Sequence, residues 1–170
     1  MIKQAVAIRC IFVAGAALLF GGCATSWEPA PDEPVVETRV RQPAQQDSAG
    51  AQVYPLHNPA VMELLGNAGA AEARGDYEQA TALLERALRI QPRNPELLQS
   101  MAEVQLQLRD YDQAMGFASR SYDLGPRVGE LCSRNWRTIG VAREYLDDAR
   151  GAAEAEQYAR ACKITKPEGL

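Results

Sequence analysis

Two blocks of this chain return at a fixed distance of 34 residues, and that spacing limits the possible folds more than any other feature. Gly75-Asp76-Tyr77-Glu78-Gln79-Ala80 is answered by Arg109-Asp110-Tyr111-Asp112-Gln113-Ala114. Pro92 is answered by Pro126, Leu64 by Leu98, and Ala68 by Ala102, all at the same offset. A unit that recurs at this period is one supersecondary element that buries its apolar face only against a neighbour. The small residues have a physical purpose, because Ala68 with Ala80, and Ala102 with Ala114, let paired helices approach closely. Leu84 and Ala87 are placed to fill the gap to the next unit. Pro92 and Pro126 stop the second helix of each unit. Asn58-Pro59 and Asn94-Pro95 read as a cap followed by a first helical residue. Gly75 then Asp76 reads as a helix end followed by a new cap. Helices are therefore expected at 59–73, 77–90, 94–108 and 111–124.

The pattern resembles the tetratricopeptide repeat, a helix–turn–helix unit of this period. Trp136-Arg137-Thr138-Ile139-Gly140 matches that family's first-helix pattern of Trp, two residues, an aliphatic and Gly. Trp136 lies 38 residues after Leu98, and Ala155 and Pro167 lie 41 after Ala114 and Pro126, so the third unit is irregular. Arg143 stands where the family has a Tyr, with Tyr145 close by. A longer helix at 129–147 and a second at 151–165 follow. The resemblance implies an all-α domain over 58–170, with three repeats at about 61–94, 95–128 and 129–167. They would stack as a short right-handed solenoid.

The chain opens with Lys3 and Arg9, then an apolar run from Ile11 to Phe20. That run suits a signal-peptide core and falls short of the ~20 residues needed to span a bilayer. Phe20-Gly21-Gly22-Cys23 resembles the lipobox of bacterial lipoproteins, with Phe20 where Leu is usual. The resemblance implies a leader at 1–22, lipidation of Cys23, and, since Ala24 and Thr25 carry no retention Asp, an outer-membrane destination facing the periplasm. An ordinary secretory cleavage with Cys23 free is the alternative. Residues 23–57 hold Pro29, Pro31, Pro34, Pro43 and Pro55 with little apolar periodicity, and read as a disordered tether. As a coil the tether would average ~30 Å, and as extended polyproline II it would reach ~105 Å.

Cys132 is expected near the start of the third repeat's first helix and Cys162 near the end of its second. Antiparallel helices would bring both to one end of the hairpin, and an oxidising compartment permits a disulfide there. Two buried thiols or a redox pair are the alternatives.

No constellation for chemistry emerges. His57 is the sole histidine, so no histidine-rich metal site exists. Asp147-Asp148 and Glu154/Glu156 read as solvated surface charge, and neither Gly21-Gly22 nor Gly66–Gly69 follows a strand as a phosphate loop would. No catalytic residue, cofactor or metal is expected. The net charge of −4 argues against nucleic acid, which calls for a basic face.

Members of the resembled family bind partners on the concave face, through the first helix of each repeat. Carried over position by position, the face would offer Met62, Leu65, Gly69 and Glu72, then Glu96, Gln99, Glu103 and Leu106, then Arg134, Arg137, Val141 and Glu144. This is an apolar end, an acidic middle and a basic end. Leu65 and Gly69 replace the Lys and Asn of the chaperone-binding carboxylate clamp, so a clamp is not implied. As a whole arrangement, lipobox, tether and short repeat domain, the chain looks like the outer-membrane lipoproteins that activate class A penicillin-binding proteins, the bifunctional peptidoglycan synthases. A non-catalytic regulator of cell-wall synthesis is the implied function. A pilotin-like lipoprotein, or a scaffold of pilus, secretion or envelope assembly, is the alternative.

Overall fold

The computed structural model describes residues 34–43 and 58–163. A short π-helical segment, α1 (Val36–Arg41), precedes six α-helices: α2 (Pro59–Glu72), α3 (Tyr77–Ile90), α4 (Pro95–Gln107), α5 (Tyr111–Leu124), α6 (Glu130–Tyr145) and α7 (Ala149–Ala161). Among the described residues every regular element is helical. The helices pair as three hairpins, α2 with α3, α4 with α5 and α6 with α7. Adjoining hairpins meet through α3 with α4 and α5 with α6. This is an all-α repeat stack.

Local chemistry accounts for the boundaries. Asn58 accepts a hydrogen bond from the Ala60 N–H, and Asn94 from those of Glu96 and Leu97. Asp76, Asp110 and Asp148 each accept from the N–H three residues on, at Gln79, Gln113 and Gly151. Each such cap satisfies an N–H that has no partner within its helix. The residue before each Asp is left-handed: Gly75 at φ 74°, Arg109 at 62° and Asp147 at 60°. Asp147-Asp148 is thus the third hairpin's turn and cap. The extra residues of that repeat lengthen α6 at its beginning, and α7 starts two residues ahead of the expected 151.

The core runs through the stack as small and aliphatic side chains. Ala68, Ala80, Leu84, Ala87, Leu97, Met101 and Val104 form one buried cluster across the first two hairpins. Ala102, Ala118, Ile139 and Ala155 form another between the second and third. Trp136 stacks on Tyr158 with centroids 4.4 Å apart and meets Tyr122 edge-on at 5.0 Å, joining α5, α6 and α7. At the end of this hairpin Cys132 is bonded to Cys162, with Cα atoms 5.7 Å apart. No helix of the described residues is long and apolar enough to cross a membrane. The expected leader, Cys23 and His57 lie outside the described residues.

Candidate functional site

The face formed by α2, α4 and α6 is occupied by the chain's own α1. Val36 and Val40, one helical turn apart, are buried against Leu106, Ala114, Val141 and Ala142. Beside them Arg41 reaches three carboxylates: its Nη2 lies 2.8 Å from Glu72 and 2.7 Å from Glu103, and its Nη1 lies 2.7 Å from Glu37. Arg39 pairs with Glu144 at 2.6 Å on the exposed rim. Residues of all three first helices therefore hold α1.

This differs from the expectation of a tether without structure through residue 57. An isolated six-residue helix does not persist in water, because nucleation is unfavourable. The surrounding surface supplies what the segment lacks. Burying two valines contributes about 1.5–3 kcal/mol each, against about 1 kcal/mol or more per residue to fix the backbone. Over the six residues of α1 the entropic cost is the larger of the two, so the arginine contacts decide whether the segment docks.

Glu103 is the centre of the site. It is 1% exposed. Its Oε1 accepts from Arg134 Nη2 at 2.6 Å, Arg134 Nε at 2.9 Å and Gln99 Nε2 at 2.9 Å, and its Oε2 accepts from Arg41 Nε at 2.8 Å. Gln99 Nε2 also donates to Thr138 Oγ1 at 2.9 Å, which ties α4 to α6. Burial alone would push the Glu103 carboxyl up, but the guanidiniums of Arg134 and Arg41 prevail and hold it below the ordinary carboxylate range. Glu72 behaves oppositely: burial raises it, and Arg41 offsets only part of that rise. Arg41 is desolvated too, yet Glu103 and Glu72 hold it firmly protonated.

The residues expected on this face divide into two groups. Gln99, Glu103 and Arg134 join one hydrogen-bonded network, and Val141 lies beneath the α1 valines. Met62 is exposed on α2, Leu65 is half-buried against the first hairpin's core, and Glu96 is half-buried at the start of α4. The Glu103 carboxylate takes its bonds from the first group and from Arg41. Arg137 is half-buried and lines a cleft of about 610 Å³ with Thr38, Arg39, Trp136 and Glu144. A second cleft, of about 540 Å³, lies beside Arg41 and is bounded by Pro34, Gly69, Glu72 and Glu103. The residues that sequence reasoning missed are those of α1. Their one signal was the pair Val36 and Val40 at helical spacing, followed by Arg41. Among the described residues, no group of His, Cys, Asp and Glu is arranged to hold a metal ion.

A tetratricopeptide repeat family model matches residues 71–120. The globular C-terminal domain of P. aeruginosa LpoP is a similar solved structure, 37% identical, with a TM-score of 0.58. The match covers 61% of this chain and 98% of that domain. The chain belongs to the tetratricopeptide-repeat proteins. A curated relative, the heat-shock protein cognate co-chaperone sgt12 of Aspergillus fumigatus, is 32% identical over 112 residues. That match takes in 66% of this chain but only 30% of the relative's length. The tetratricopeptide domain is a scaffold for protein interaction, and α1 lies on the face formed by its first helices.

Proposed function

We propose that this protein is a non-catalytic lipoprotein of the outer membrane whose tetratricopeptide domain faces the periplasm and activates a class A penicillin-binding protein. The likeness to the LpoP C-terminal domain over 98% of its length carries the reading. The arrangement of Phe20-Gly21-Gly22-Cys23, a proline-bearing tether and a short repeat domain supports it, since it resembles the lipoprotein activators of such synthases. An activator of this kind adds no reacting group. It binds the synthase's active state more tightly than its resting state and shifts the population by that difference.

The test is to add the purified protein to a class A penicillin-binding protein and follow glycan polymerisation and peptide crosslinking. Both rates rise if the reading is right. Unchanged rates, with no complex detected at micromolar concentrations, would remove it.

A further inference from the structure

We infer that the face between α2, α4 and α6 takes a short helical peptide bearing two aliphatic side chains one turn apart and an adjacent arginine, and that residues 34–43 hold this place until a partner segment of that chemistry replaces them. The inference deepens the proposed function, because it rests on this face being where the partner docks.

Three observations carry it. The first is the form of the occupant. Val36 and Val40 enter an apolar patch made by Leu106, Val141 and Ala142, so the surface already accepts a helical turn with that spacing. The second is charge. Glu72 and Glu103 stand together, Arg134 is bound to Glu103, and Arg41 bridges the two carboxylates. Removing Arg41 without a replacement would strip Glu72 of that cation in a partly desolvated site, which is unfavourable. A replacing segment therefore has to bring a cation of its own, and a guanidinium fits two carboxylates better than a point charge does. The third is attachment. α1 stands outside the three-hairpin stack and lies against it chiefly through α6 and α4, with Arg41 reaching Glu72 on α2. Its departure leaves the hairpin cores of the repeat domain intact.

An intramolecular occupant acts at high effective concentration, so a competing peptide binds more weakly than it would to the vacated face. The probe is a fluorescent synthetic peptide of residues 33–44, titrated by anisotropy into the full chain and into the full chain carrying Val36→Asp and Val40→Asp. The double variant binds the peptide at least ten-fold tighter than the unaltered chain. A peptide with its own arginine at position 41 replaced by Glu loses most of that affinity. Far-ultraviolet circular dichroism establishes that both chains remain helical, and Arg41→Glu serves as a second way to undock α1.

Equal affinity of both chains for the peptide would overturn the inference, as would equal binding of the Glu-bearing peptide. Dimerisation of the unaltered chain that the double variant abolishes would also overturn it, since α1 would then be exchanged between copies. With a class A synthase the double variant forms the tighter complex. Equal complexes would overturn the competition and leave the activator reading standing. If neither chain forms a complex, the activator reading fails and the peptide titration alone decides what the face accepts.

Discussion

The seam between the first two hairpins and the seam between the last two join the same kinds of helix with different chemistry. At the first, Leu84, Ala87, Leu97 and Met101 meet as hydrocarbon. At the second, small apolar residues are interleaved with polar bonds: Gln99 donates to Thr138 at 2.9 Å and Arg134 to Glu103 at 2.6 Å. A hydrocarbon seam contributes stability with little directional demand. A polar seam contributes less per contact but defines which groups must be present, because an unpartnered buried charge is costly. The α1 segment lies by the second seam, so the part of the stack that holds α1 is also the part with the most conditional stability. The disulfide and the Trp136 stack secure the hairpin on that side.

The contrast is tested most severely at Leu84. Leu84→Ala opens a void in a fully buried position and should cost roughly 3–5 kcal/mol by urea denaturation. Thr138→Val at the other seam keeps the side-chain shape, removes the hydrogen bond from Gln99 and should cost about 1 kcal/mol. Equal losses would erase the distinction. Replacing Cys132 and Cys162 by Ser, or adding reductant, should cost roughly 3 kcal/mol from the loop they close. Amide exchange should then rise in α6 and α7 while α3 and α4 stay protected. A uniform rise across all helices would contradict a local staple.

Acid probes the polar seam in a way the hydrocarbon seam cannot match. Glu103 titrates below its ordinary 4.5 in the folded chain, so its contribution is present above that value and is lost as pH falls through the lower folded value. Glu72 titrates above 4.5, so its contribution has the opposite sign: it is full below 4.5 and fades as pH rises through the raised folded value. Stability should therefore hold or rise slightly on acidification toward pH 5 and decline below about pH 4. Glu103→Gln should cost about 1–2 kcal/mol at neutral pH and flatten the acid decline, read as urea midpoints against pH. The smallest effect is expected at Arg109. Its φ of 62° is the left-handed conformation that Gly75 supplies in the preceding hairpin. Arg109→Gly should raise stability by about 0.5–1 kcal/mol, measured as an increase in Tm.

Most of the stack was legible because each element is specified locally. The Asn-Pro pairs, the turn Asp residues and the paired alanines carry their meaning within a few positions, and the helix ends fall within about two residues of expectation at most of them. The third repeat's shift was readable from Trp136 and Gly140, which keep the first-helix spacing; at Gly140 the two helices lie in close contact, a Cβ there meeting Ala155 at 3.5 Å. The candidate site was legible only in part. Position within a first helix brought Gln99, Glu103, Arg134 and Val141 into view, yet it could not separate them from Met62, Leu65 and Glu96. The difference is made by a segment from far upstream. That segment was invisible for a physical reason: seven residues, Val35–Arg41, set among prolines and glutamines have no stability of their own, and the surface that stabilises them is scattered over α2, α4 and α6.

On the proposed anchoring at Cys23, the docked turn would also set the length of the tether. While α1 is seated, a lipid on Cys23 would be joined to the domain through residues 24–33, which at full polyproline extension cover about 30 Å. Once it lets go, residues 34–57 enter the leash and add up to about 80 Å of contour. A ligand that ejects this turn would therefore do two things in one event: it would occupy the cradle, and it would let the domain travel several times farther from its mooring.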